Sequence, residues 1–122
     1  MAQRVLIIED DGDLADALSD LVSALNHEAA VATSGAVGLT VAQRFRPDVI
    51  VCDLGLPGMD GYNVARALRA DPATAGARLV ALTGDHSAPP RVGTDVFDSW
   101  LLKPISGAEL EPLLAPSSQR AG

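Results

Sequence analysis

A chain of 122 residues is long enough for one domain with its own core. With 48% hydrophobic and only 3% aromatic residues, that core must be built from aliphatic side chains. The net charge of −7 and pI near 4.5 speak against nucleic acid or an anionic membrane as a direct partner, and the single cysteine excludes an internal disulfide and fits a reducing cytoplasm.

No apolar run is long enough to span a bilayer, and the N-terminus lacks the pattern of a signal peptide. The first strand is expected over Arg4 to Ile8. Leu14, Leu18, Leu21, Val22 and Leu25 then recur at the spacing of one helical face, and Asn26 can close that helix in a left-handed conformation. Glu28 to Ala32 is a second strand, weak in pattern and expected near a sheet edge. Ser34 caps a helix to about Phe45, with Val37, Val41 and Phe45 on one stripe, and Pro47-Asp48 stops it before a strand at Val49 to Cys52.

Leu56 to Gly61 is a loop rich in turn residues, with Asp60 a cap for the helix marked by Val64, Ala65 and Leu68. That helix ends near Asp71-Pro72. Strands follow at Leu79 to Leu82 and Ser99 to Leu102. Between them, Pro89-Pro90 and Gly93 leave room for only a short or mobile fourth helix. Ser106 and Glu109 have capping-box spacing and open a last helix to about Leu114, with a frayed tail over 116–122. Residues 1–115 are thus expected to form the single domain, and Met1 three residues before the first strand suits a natural start.

Alternating strands and helices imply a parallel sheet with helices on both faces. The expected fold is the flavodoxin-like doubly wound α/β sheet of five strands in the order 2-1-3-4-5. Four polar stations follow the apolar runs directly: Glu9-Asp10-Asp11, Asp53, Thr83 and Lys103-Pro104. Ligands of open parallel sheets bind outside the carboxyl ends of the strands, so this order converges carboxylates, a hydroxyl and an ammonium on one crevice. Asp10 and Asp53 can reach a Mg²⁺ ion, which favours oxygen ligands and retains waters. Glu9 is expected at the rim, holding a ligand water or shaping the site, and a backbone carbonyl shortly after Asp53, most simply that of Gly55, could complete the protein's share. No His or Cys cluster suggests zinc. Asp53 can act as a nucleophile toward phosphorus, with the cation and Lys103 neutralising phosphoryl oxygens and Thr83 donating to one of them. Gly84 leaves the approach open.

Val5 to Asp11, Asp53 to Gly61, Leu82-Thr83-Gly84 and Trp100 to Pro104 together resemble the response-regulator receiver domain of bacterial two-component signalling, the CheY-like superfamily. The resemblance covers residue 4 to about 114. It implies phosphotransfer from a sensor histidine kinase or histidine phosphotransfer protein to Asp53, and Mg²⁺ at Glu9, Asp10 and Asp53. It further implies phosphoryl contacts from Thr83 and Lys103, and a switch in which Thr83 moves and Trp100 turns inward. A cis bond before Pro104 would aim the lysine inward. Gly55 and Asp85 flank the site at positions associated in the family with phosphoryl lifetime.

The chain departs from the family pattern in a stretch between Thr83 and Lys103 about two residues shorter, which puts the usual dimer mode in doubt, and no DNA-binding or enzymatic output domain is expected after Leu114. The output partner stays open, as does a homodimer. The alternative from another class is a receiver-like interaction module with little or no phosphorylation. A haloacid-dehalogenase-type phosphatase would need an Asp at position 55, and a flavin carrier would need hydroxyls where Glu9 to Asp11 stand. His27 and His86 have no metal-ligand spacing and are expected at the surface or in caps.

Overall fold

Along each inner strand the side chains alternate between two separate cores. Leu6, Ile8, Ile50, Cys52, Leu79 and Ala81 face one way, and Val5, Ile7, Val49, Val51, Val80 and Leu82 the other. This period of two explains the unbroken apolar runs, since both faces are covered. The computed structural model describes residues 2–56, 58, 60–84, 96–103 and 105–114. The expected fourth helix, Asp85, His86, the Lys103–Pro104 bond and the tail at 116–122 lie outside the described residues.

The strands β1 (Arg4–Ile8), β2 (Glu28–Ala32), β3 (Val49–Asp53), β4 (Arg78–Thr83) and β5 (Ser99–Leu102) pair in parallel in the order β2-β1-β3-β4-β5. Only β2 among the first four has mostly half-buried residues, as suits an edge. Helices α2 (Gly35–Phe45) and α3 (Gly61–Ala70) cover one face through Ala42, Val64, Ala65 and Leu68. Helices α1 (Gly12–Ala24) and α4 (Gly107–Leu110) cover the other, through Ala15, Leu18, Val22 and Leu110.

Local signals set the helix ends. Ser34 accepts from the Val37 amide and Asp60 from the Tyr62 amide, while Asn26 closes the end of α1 at φ 67°. The last helix departs from expectation. It is α-helical only to Leu110, after a complete Ser106–Glu109 capping box, and continues as a 3₁₀ turn over Glu111–Leu114. Pro112 lacks an amide proton and its ring crowds the carbonyl four residues back, so the α-helical ladder cannot run through it. Leu110 and Leu114 still close the core.

Candidate functional site

Asp53 is the last residue of β3, the middle strand, and pairs in register with Leu82 of β4. Its carboxylate is nearly buried. Oδ1 accepts from the Gly55 amide at 3.0 Å, and Oδ2 lies 3.3 Å from the Lys103 ammonium. The chain turns immediately: the Leu54 amide donates to Leu82 O, and the Gly61 amide to Leu54 O. Gly61 is packed so closely that a Cβ there would lie 2.5 Å from Asp53 O and 2.7 Å from Leu54 Cα. Only glycine lets α3 begin directly over the end of β3.

Glu9 corrects an expectation. It is fully buried rather than at the rim. Its amide donates to Ala32 O, which extends the line of β1 by one residue and turns the side chain inward. Oε2 accepts from the Asp11 amide at 3.1 Å, and Oε1 lies 2.9 Å from Lys103 Nζ. That contact is an ion pair, and among the described residues Oε1 has no directed hydrogen-bond donor. Burial pushes the Glu9 carboxyl up to about 7, and the nearby Asp53 adds to this against the lowering by Lys103 and the Asp11 amide. Burial works against the charge of Lys103, but the Glu9 and Asp53 carboxylates outweigh it and push its pKa up.

Asp10 is exposed, and its neighbour Asp11 is committed elsewhere, capping α1 by accepting from the Asp13 and Leu14 amides. One carboxylate oxygen each from Glu9, Asp10 and Asp53 lie within 4.8 Å of one another. Three hard oxygen donors so close fit a small divalent cation, and Glu9 also carries a buried oxygen for which the described residues offer no directed donor. Charge distribution favours it too. Residues 5–43 hold seven acids and no Lys or Arg, while the nine other acids are matched by the chain's nine bases.

Thr83 ends β4, paired with Leu102, and its carbonyl accepts from the Lys103 amide at 2.8 Å. The four stations therefore do stand at adjacent strand ends. Gly84 runs beside the Lys103 stem, where a Cβ would sit 3.7 Å from Cδ. Gly55 contributes its amide to Asp53 and is exposed. Trp100, partly buried on β5, meets Tyr62 and Phe97 at ring-centroid distances of 6.2 and 5.5 Å. His27 accepts from the Gln3 amide through Nδ1, a structural contact away from the site.

Sequence reasoning missed Arg69. From the last turn of α3 it donates to the carbonyls of Val96, Ala75 and Ala77 and to the Asp98 carboxylate at 2.8 Å. Asp98 also accepts from the Leu79 amide, so this network ties the amino ends of β4 and β5 together. Its signal in the sequence is faint, because the partners lie 6, 8, 27 and 29 residues away.

Sheet order and site define a CheY-like domain of the flavodoxin-like class. The chain belongs to the response regulator receiver domain family, whose model matches residues 5–115. It is 35% identical over 117 residues to the DNA-binding response regulator MtrA of Mycolicibacterium paratuberculosis, covering 90% of this chain and 48% of that one. The chain thus spans about half the length of the curated relatives it matches. A receiver domain from Methylobacillus flagellatus superposes with a TM-score of 0.86 at 32% identity, covering 93% of this chain and 97% of that one. The receiver domain of a sensor histidine kinase from Pseudomonas aeruginosa, with a magnesium ion coordinated in its active site cleft, gives 0.83 at 26%, covering 93% and 95%. Among the described residues, no helix is long and apolar enough to cross a membrane.

Proposed function

We propose that this receiver domain, residues 1–115, accepts a phosphoryl group on Asp53 from the phosphohistidine of a sensor kinase or a histidine phosphotransfer protein in the cytoplasm. The observation that carries this is a nearly buried carboxylate at the end of the middle strand, held 3.3 Å from an ammonium and beside two further acids. In the transfer, an Asp53 carboxylate oxygen forms a bond to phosphorus while the bond to the donor imidazole nitrogen breaks. The imidazole leaves with the electron pair and takes up a proton.

Glu9, Asp10 and Asp53, with the Gly55 carbonyl, would hold Mg²⁺, which supplies neutralisation of the phosphoryl oxygens when bound. Lys103, shared between Glu9 and Asp53, is at hand to shift toward the incoming phosphoryl oxygens. The Thr83 hydroxyl donates to one of them, and Trp100 follows, shifting the balance between two conformations. The domain is a signalling phosphoacceptor that catalyses only its own phosphorylation and dephosphorylation. Its output partner is a separate protein, a second copy or a further domain.

Intact mass after incubation with acetyl phosphate and Mg²⁺ tests the reading. One phosphoryl mass is expected on the wild type and none on Asp53→Asn. No added mass on the wild type with rapid sampling would leave the interaction module without phosphorylation as the better account.

A further inference from the structure

The chain has four aromatic side chains, and three of them meet at one place. Tyr62 belongs to the first turn of α3, Phe97 to the segment before β5, and Trp100 to β5 itself. Tyr62 and Phe97 pack edge to face at 5.6 Å and 77°, and each also meets the Trp100 ring. Tyr62 and Phe97 are buried, whereas Trp100 is only partly so. In a core built mostly of aliphatic residues, the tryptophan packs against rings with a preferred geometry.

Tyr62 also has a short backbone connection to the acceptor strand. It follows Gly61, whose Cα lies against the Asp53 carbonyl and whose amide donates to Leu54 O. Asp60 fixes the Tyr62 amide at 2.8 Å. These contacts give a displacement of the backbone after Asp53 a route to the Tyr62 ring, and from there to the indole.

We propose that Tyr62 is a positioning residue for Trp100, holding the indole against the sheet and coupling it to the backbone that follows Asp53. This gives the site a second link to Trp100 beside the one through Thr83. The proposal rests on reading Trp100 as the switch, and its first test does not require phosphorylation.

Trp100 is the sole tryptophan, so emission excited beyond the tyrosine band reports it alone. Tyr62→Leu is expected to raise the outward, quencher-accessible population of the ring roughly two- to ten-fold, the factor matching the loss of one aromatic pair. Tyr62→Phe retains the ring and is expected to restore the wild-type quenching. Unchanged quenching in Tyr62→Leu, or equal quenching in the Leu and Phe variants, overturns the proposal. Should Tyr62→Leu fail to fold by circular dichroism, Tyr62→Met is judged by the same criterion.

The second test adds acetyl phosphate and Mg²⁺ while following mass and emission together. A smaller emission change per phosphoryl group in Tyr62→Leu than in the wild type supports the coupling. Equal changes overturn it. Absence of phosphoryl mass on the wild type defeats the proposed function instead, and the quenching comparison then decides the role of Tyr62 by itself.

Discussion

Two charge clusters stand at opposite ends of the same sheet. At the amino end, Arg69 makes four hydrogen bonds, and Asp98 takes up both its guanidinium and the Leu79 amide. At the carboxyl end, among the described residues, one ammonium serves two carboxylates, and Glu9 Oε1 is buried without a directed donor. The first cluster is complete and acts as scaffold. The second has a surplus of negative charge that a cation or a phosphoryl group with its cation can rearrange, at the cost of stability while it waits. The difference separates structural from functional electrostatics without appeal to residue type, since each cluster joins one base to carboxylate.

The largest expected effect lies one residue behind the acceptor. Burial pushes the Cys52 thiol up to about 12, with Asp53, Glu9 and Asp60 adding to the shift. At pH 8 roughly one molecule in ten thousand carries the thiolate, so disulfide reagents should label Cys52 only after denaturation. Rapid labelling of the native protein would mean that the carboxyl end is far more open than its geometry.

Breaking the complete cluster is expected to cost about 3 kcal/mol. Arg69→Met leaves Asp98 to water and the Leu79 amide but deprives three part-buried carbonyls of their donor, at about 1 kcal/mol each, and should lower the urea midpoint accordingly. A change under about 1 kcal/mol would remove the contrast between the two ends.

The incomplete cluster should respond to pH instead. Glu9 has a pKa of about 7 in the fold against 4.5 unperturbed, so the folded state holds its proton more tightly. The resulting stabilisation is fully present below pH 4.5 and is lost as pH rises through 7, by up to about 3 kcal/mol. Urea titrations at pH 5 and pH 8 without divalent cation should show that loss, and Glu9→Gln should flatten it. Mg²⁺ should restore stability at pH 8 in the wild type and much less in Glu9→Gln. A wild-type stability that rises between these pH values would reverse the assignment.

The smallest effect concerns the helix beyond Lys103. Ser106→Ala removes the capping box and should lower stability by about 1 kcal/mol while leaving phosphoryl uptake intact.

Much of this architecture is written in local pattern. Doubly covered strands leave apolar runs, and Ser34, Asp60 and Ser106 mark helix starts through short side chains that reach the next turn. The four stations were legible because each directly follows such a run. What escaped depends on distance along the chain. A glutamate one residue past a strand resembles any loop acid, and the contacts that hold Glu9 inside, its amide on Ala32 O and its carboxylate on Lys103, come from far along the chain. Arg69 resembles a solvated helix residue until segments up to 29 residues away are brought together. Arg46 caps α2 at φ 51°, where glycine or asparagine would be the usual signal, and Pro47 gave the stop but not this conformation.

Gly61 has a consequence for how this chain can vary. A randomised library selected for phosphoryl uptake should return glycine alone at position 61, because even the single methyl of alanine collides with the backbone of the acceptor strand. Gly12 and Gly76, which face open space, should tolerate many residues in the same library. A position with no side chain and no chemistry would then be as fixed as the acceptor itself, and its whole contribution is the volume it leaves empty.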